Sequence, residues 1–490
     1  MKNYKVKATR LMLGAIGLFA FGATAQAQFT LDGEIRPRFE YRNGYKSVAD
    51  SNQSNAAFVQ QRTRLNFGYK TEGYVFKVSL QDVRVWGSQP QLIATQAQQN
   101  SNGSYLGIHE AWGKALISEN WALKFGRQEI VLDDSRIFGN VGWAQQARSH
   151  DAAILKFNKN KFKADFGVAY NQDRATLTGT EASQGGYKAF QYLWLHNDFG
   201  ENFGASVLVL NNGKEQLDVD NNALLLGQAD SLYYKDNYSQ TIGTKLTYKK
   251  DKLKVGASFY TQMGLAGDRN TAHSDFNGDF DPEVSAMNYG VDVSYAITKK
   301  FTAGAGYEYM SGNSQTDTSA SYARTNHAFT PFYGTNHKFN GHMDYFYVGN
   351  HNGSVGLQDV YINAKYKAEK FWVAGAVHMF SAAEDVKDGF KIQQDNAAAI
   401  AAGTPISDVD QYQTMDAAFG TEIDLSFGFN LSKGVAFKGG YSVMMATETL
   451  AYLKGTTDYQ GQGYTDELSS WGWAMIIIKP NFTEKKAVKK

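Results

Sequence analysis

"LDGEIRPRFEYR", residues 31 to 42, carries an ionisable side chain at every even position (Asp32, Glu34, Arg36, Arg38, Glu40, Arg42) and an apolar residue or glycine at every odd one. Strand side chains alternate in direction with period two, so this stretch reads as a strand with one apolar and one charged face. A soluble sandwich would turn the apolar face inward and leave the charges in bulk water. A membrane barrel would turn the apolar face to lipid and the charges to a wet interior. One strand leaves both architectures open.

The start of the chain narrows the choice. Lys2, Lys5, Lys7 and Arg10 precede the apolar run Leu11 to Phe21, which is followed by Ala25-Gln26-Ala27. This is the pattern of a cleaved secretory signal over residues 1 to 27, and the apolar run is far shorter than the roughly 20 residues of a spanning helix. The mature chain then begins at Gln28, and losing those four cations and no acid takes the formal charge from +1 to −3. No basic excess is left to recruit nucleic acid. Without cysteine, the exported chain has neither a disulfide framework nor a thiolate metal or redox site. Six prolines and no low-complexity linker in 490 residues point to one large domain, which we place at residues 28 to 482 ahead of a basic tail at 483 to 490.

Along that domain one unit recurs: a strand ending in an aromatic or apolar residue, a short polar turn, and a second strand opening on an apolar one. The turns are KTEG (70 to 73), ISEN (117 to 120), NKNK (158 to 161), FGEN (199 to 202), KKDK (249 to 252), TKK (298 to 300), AEK (368 to 370) and LSKG (431 to 434). Nine mostly long, polar connections lie between them, among them residues 211 to 238, 312 to 356 and 381 to 416. Eight turns and nine loops join eighteen strands, an even number that closes. Alternation persists far down the chain, as in Met287, Tyr289, Val291, Val293 and Tyr295 against Asn288, Gly290, Asp292 and Ser294. Aromatics flank the turns, including Tyr69, Phe157, Tyr248 and Tyr366 before them and Trp121, Phe162, Phe203, Phe301 and Phe371 after them, as an interfacial girdle requires. The expected fold is all-β: an eighteen-stranded antiparallel barrel, integral to the outer membrane, with short periplasmic turns and long extracellular loops.

Two segments, "FGRQEIVLDDSRIFGNVGWAQQARSHDAA" (125 to 153) and "AFTPFYGTNHKFNGHMDYF" (328 to 346), resemble the alginate export family of outer-membrane channels. The similarity rests on Gly126, Arg127, Gln128, Arg136, Gly139, Trp143, Arg148 and Asp151, and on Phe329, Pro331, Tyr333, His337, Gly341 and Asp344. Asp133 and His150 depart from the family pattern. The resemblance implies an eighteen-stranded channel for an anionic polysaccharide, with possible periplasmic export partners.

The residues independently suggest an anion path. Ten of the twelve arginines after residue 27 fall within residues 36 to 174. Strand phase turns Arg36, Arg38, Arg62 and Arg64 inward, and guanidinium binds carboxylate through paired hydrogen bonds. Bracing the wall against Glu34 and Glu40 is the competing role for these arginines. Arg84 requires a phase slip near Asp82 to face the lumen. Arg127 falls on the lipid phase unless a β-bulge at Gly126 turns it inward. Residues 131 to 150, with Arg136 and Arg148 bracketing Trp143, form the expected constriction. Across strands 12 to 16 the luminal phase holds Asp292, Glu308, Asp359, Glu422 and Asp424, which with the arginine wall gives a transverse field. The pore lining is thus expected to comprise Arg36, Arg38, Arg62, Arg64, Arg84, Arg127, Arg136, Arg148, Asp151, Glu308, Asp359, Glu422 and Asp424.

Weaker patterns are read as ordinary loops. "DFNGDFDPE" (275 to 283) lacks the glycine and distal glutamate of an EF-hand, and His327, His337, His342 and His351 are irregularly spaced for a metal. A catalytic site is not expected either: no Gly-x-Ser-x-Gly occurs, which weighs against an outer-membrane hydrolase. No cofactor or metal is expected. The expected partners are membrane lipid, lipopolysaccharide and an anionic polysaccharide or small anionic solute. A general or small-anion uptake porin is the alternative to an exporter.

Overall fold

The computed structural model describes residues 28 to 88, 105 to 180, 182, 186 to 217, 234 to 265, 283 to 346 and 355 to 483. The signal at 1 to 27, most of the acidic loop at 275 to 283, His351 and residues 484 to 490 lie outside the described residues.

Eighteen antiparallel strands form a closed barrel. They are β1 (Gln28–Asn43), β2 (Ala56–Lys70), β3 (Tyr74–Val85), β4 (Tyr105–Leu116), β5 (Trp121–Gln128), β6 (His150–Lys159), β7 (Phe162–Tyr170), β8 (Ala189–Phe199), β9 (Phe203–Leu217), β10 (Tyr234–Lys250), β11 (Leu253–Leu265), β12 (Glu283–Ala296), β13 (Phe301–Met310), β15 (Leu357–Lys367), β16 (Phe371–Ser381), β17 (Ala418–Ser432), β18 (Val435–Ala446) and β19 (Ser469–Ile478). The two-residue β14 (Thr325–Asn326) lies in a loop and pairs in parallel with the end of β12, outside the wall. Each wall strand pairs with its neighbours in sequence, and β1 pairs with β19 from Ile35↔Ile478 to Asn43↔Ser470. No wall edge is left to template association.

All eight short turns fall where the polar tetrads and triads stand. Asn160 (φ +54°) and Asp251 (φ +51°) open two of them, in the left-handed region that Asn and Asp tolerate best among residues with a side chain. Rings meet across the turns: Phe157 with Phe162 at 6.1 Å, Phe199 with Phe203 at 5.9 Å, and Tyr366 with Phe371 at 6.0 Å between centroids. The alternation resolves as the sequence implies. Met287, Tyr289, Val291, Val293 and Tyr295 are exposed on the outer face, whereas Asn288 is fully buried within. An apolar exterior on a closed barrel, with its aromatic belt at the turn end, makes this an integral outer-membrane protein.

The interior departs from a plain tube. A buried apolar cluster inside the barrel joins Ile130, Leu132, Ile137 and Phe138 of the β5–β6 loop to Phe190, Tyr192, Leu208, Leu210 and Tyr260 of the wall, and to Phe329 and Tyr333 of the β13–β15 loop. β8 and β9 are therefore apolar on both faces, one meeting lipid and the other the inward loops.

Candidate functional site

The lumen is crossed by two loops, each fastened to the wall through its own main chain. The first, residues 129 to 149, reaches the inward faces of β1 and β2. Arg36 donates to the carbonyls of Gly142 (2.9 Å) and Trp143 (3.1 Å) and to Gln145 Oε1 (2.9 Å). Arg38 donates to Trp143 O (2.8 Å), and Arg62 to Gln145 O (3.4 Å) while pairing with Glu34 (2.5 Å). The tip residue Trp143 lies between Arg38, 4.3 Å from its ring, and His337, stacked at 4.5 Å and 14°, with edge contacts to Trp471 and Trp473. From the same loop Arg136 crosses to Glu308 on β13, and Arg148 donates to Gly334 O of the second loop (3.2 Å). Asp134 pairs with Lys245 of β10 at 2.7 Å.

The second loop, residues 327 to 346, is held by the acidic wall. Glu422 Oε1 accepts from the N–H groups of His342 (2.5 Å) and Met343 (2.8 Å), and Asn340 donates to Glu308 (2.8 Å) and Asp359 (3.2 Å). Gln262 clasps Thr330 at both its carbonyl (2.7 Å) and its N–H (2.9 Å). Asp344 binds His337 (2.8 Å) and Tyr45, and Asp359 binds His378 (3.0 Å). Arginines thus hold carbonyls on one side of the lumen and carboxylates hold N–H groups on the other. The two walls of the expected transverse field serve as fasteners as well.

Electrostatics in the loops follow from these bonds. Burial alone would raise Glu129, but hydrogen bonds from His109 and Asn140 and the charge of Arg64 hold it down to about 2. Asp133 is raised by burial, which outweighs its bonds from Ser206 and Trp194. Asp134, against burial, is lowered by Lys245.

Three expectations about facing are corrected. The β2–β3 ladder runs unbroken from Lys70↔Val75 to Gln60↔Val85, so there is no slip at Asp82, and Arg84 lies opposite Gln61 on the outer face, paired with Asp82 at 2.7 Å. Arg127 and Asp151 face each other across an unshifted β5–β6 ladder and form a lipid-side pair at 2.8 Å, 46 % and 58 % exposed. The bulge sits one strand away, where β3–β4 pairs Ser79↔Glu110 and then Leu80↔Ile108, leaving His109 as the extra residue. That bulge turns His109 in toward Glu129 at 2.7 Å. His109, Glu110 and Glu129 come within metal-ligand range of one another, but Lys77 and Trp112 bind Glu110, and His109 and Asn140 bind Glu129. Arg36, Arg38, Arg62, Arg64, Arg136, Arg148, Trp143, Glu308, Asp359, Glu422 and Asp424 do lie within the lumen. Sequence reasoning missed Gln145, Asn340, Gln262 and the Asp134–Lys245 pair. For these residues the available signal is the two-sided apolar character of β8 and β9, which implies that something packs inside.

Between loops and wall lie several recesses. One of about 190 Å³ on the long-loop side is lined by Arg38, Arg42, Lys46, Trp143, His337 and Asp344. One of about 250 Å³ lies near the turns of β1–β4, and one of about 280 Å³ beneath the second loop along β11–β16.

No family model and no curated protein sequence matches the chain. Solved structures do match. Acinetobacter baumannii OccAB1 has a TM-score of 0.58 at 13 % identity, covering 94 % of this chain and 99 % of that one. Pseudomonas aeruginosa OccK8 (OprE) has 0.54 at 10 %, covering 93 % and 98 %. A BenF-like porin from Pseudomonas fluorescens Pf-5 has 0.54 at 10 %, covering 93 % and 99 %. At such identities the likeness is one of fold, that of an outer-membrane porin. The resemblance to the alginate export family is not supported.

Proposed function

We propose that the chain is an outer-membrane channel for small anionic solutes, the alternative to polymer export. The observation that carries this reading is the basic recess above the first loop. Arg38, Arg42 and Lys46 line it against Asp344 alone, while Glu40, bonded to both arginines, is fully buried behind them. A carboxylate entering from the long-loop side meets guanidinium groups suited to paired hydrogen bonds. The recess is smaller than the roughly 300–1,000 Å³ of ordinary small-molecule pockets, which favours a compact solute over a polysaccharide. One similar structure, that of Pseudomonas aeruginosa OpdK, was solved with vanillate, itself a small carboxylate.

The test is ion selectivity in a planar bilayer. Reversal potentials across a salt gradient are expected to show anion preference, and Arg42→Glu with Lys46→Glu to weaken or invert it. Arg62 is a poor choice for that test, because it also holds Glu34 and the first loop. Cation preference in the unmodified channel overturns the reading.

A further inference from the structure

The recess beneath the second loop has a floor unlike the rest of the lumen. The inward positions of β11–β13 include Gly256, Gly290, Gly304 and Gly306, each directly across the ladder from a polar side chain; three of these pairs are Gly256↔Asp292, Gly304↔Asn363 and Gly306↔Tyr361. In each pair the polar group occupies the space a Cβ would take, so Asp292, Asn363 and Tyr361 lie flat along the wall. Tyr361 also stacks on His378 at 5.1 Å and 28°, which fixes the plane of its ring.

The polar groups retain bonding capacity. Asp292 is 51 % exposed, and its one ion pair among the described residues is with Lys245, at 3.5 Å. Among the described residues neither the Tyr361 hydroxyl nor the Asn363 amide makes a hydrogen bond, and Ser258 adds a hydroxyl to the lining. On the loop side, Arg136 is 2 % exposed yet its Nε has no acceptor among the described residues. Lys338 Nζ is bonded to the carbonyl of Asp134 (2.6 Å) and is left with further donors. A flat aromatic ring, a carboxylate, an amide and hydroxyls along one wall match the C–H faces and hydroxyls of a sugar. Arg136 Nε and Lys338 Nζ on the facing side, set among Glu308 and Asp359, offer donors to a carboxylate.

We propose that this recess of about 280 Å³ binds a monosaccharide-sized polyhydroxylated carboxylate, its hydroxyls on Asp292, Asn363 and Tyr361 and its carboxylate on Lys338 and Arg136. The inference rests on the anion-channel reading and names its solute class. The filled glycines explain why the site is wide enough. Gly290 has the most room of the four: a Cβ built there meets the Tyr307 carbonyl oxygen at 3.3 Å, so a larger side chain enters the recess from the floor with a small local adjustment of the wall.

The experiment is current interruption in single channels, with sodium D-gluconate, sodium hexanoate or D-glucose added on the short-turn side. Gluconate is expected to interrupt the current with dwell times at least tenfold longer than hexanoate, which has the carboxylate without the hydroxyls, or glucose, which has the hydroxyls without the carboxylate. Asp292→Ala and Gly290→Leu are each expected to shorten gluconate dwells at least tenfold, and heat-modifiable migration on gels checks that both barrels assemble. Equal dwells for gluconate and hexanoate overturn the proposal, as do equal dwells for gluconate and glucose, or gluconate dwells unchanged in both assembled variants. The reversal potential is read from the same membranes without any solute, so a failed anion channel is distinguished from a failed sugar-acid site.

Discussion

At Arg36 one guanidinium makes the largest share of the bonds that fasten the tip of the first loop. It binds three consecutive carbonyls, those of Gly142, Trp143 and Ala144, and the Gln145 amide of the loop tip, and is nearly inaccessible to solvent. Hydrogen bonds from a charged donor are worth roughly 1.5–3 kcal/mol each, so Arg36→Met, which keeps the bulk and loses the donors, is expected to destabilise the tip by about 3 kcal/mol. The consequence is a barrel that still assembles but whose single-channel current is larger and noisier. An unchanged current trace counts against the fastening role. His342 supplies the corresponding test on the other side. Burial first, then the nearby His337 and His378, push its ring below the ordinary value of 6.5, although Asp424 draws it back up. A released loop would titrate near the ordinary value, so between that value and the lowered one it binds a proton that the fastened loop does not. The fastened loop is therefore most stable above about 6.5 and loses stability as the pH falls below it. Asp344, held low by His337 and Tyr45 against its own burial, stays charged across that window and does not oppose the trend. Open-channel flicker is expected to rise between pH 8 and pH 5, and His342→Gln to remove most of the rise. Equal pH dependence in the variant would assign the effect elsewhere.

The strands and the loops differ in how far they can be read from sequence. Eighteen strands and eight turns follow from period-two alternation and from turn residues, both of which are local, and the structure places every turn at its polar segment. The inward path of residues 129 to 149 was suggested by Arg136, Trp143 and Arg148. Its anchoring on Gln145, Asn340 and main-chain groups was not legible, because any residue supplies a carbonyl or an N–H. Charge and phase point to different facings at two arginines, and phase prevails. Arg84 and Arg127 keep the outward phase that counting by twos gives, each with an acid beside it on the same face. The bulge was placed at Gly126 on account of Arg127, but the extra residue is His109 in the adjacent strand. Arginine facing lipid costs roughly 2–4 kcal/mol near the midplane, and an exposed pair returns at most about 1 kcal/mol. Arg127→Leu with Asp151→Ala is therefore expected to leave conductance and ion selectivity unchanged and the barrel at least as resistant to urea. A loss of anion preference would place the pair in the lumen. Replacing residues 131 to 148 with a short glycine-serine linker is expected to raise conductance several-fold, since the bonds that carry the first loop across the lumen leave with it.

For the whole barrel, a wall of eighteen strands encloses more space than side chains fill, and lumens of 16–18 strands otherwise hold an aqueous channel. Here that space is divided by two loops that share one apolar cluster and are fastened to different stretches of wall by opposite charges. Widening the passage for a polymer would require breaking arginine–carbonyl bonds on β1 and β2 together with carboxylate–amide bonds on β13, β15 and β17. Small anions need neither, because the recesses of about 190 and 280 Å³ already lie on the two sides of the loops. On the small-anion reading, size and charge are set by separate parts of the molecule: the loops limit size, and the side chains of Arg38, Arg42 and Lys46 set charge. Liposome swelling separates the two effects. Proteoliposomes are expected to admit galacturonate faster than galactose at low salt, with the difference shrinking near 1 M salt, where the Debye length falls to about 3 Å. They are expected to exclude a tetra-galacturonate at either salt concentration, because screening cannot move a loop held by buried bonds. In barrels lacking residues 131 to 148 the tetramer should enter while the preference for anions persists on the arginines that remain. Entry of the tetramer into the unmodified channel would show that both loops yield to a polymer and would restore polysaccharide transport as the better reading.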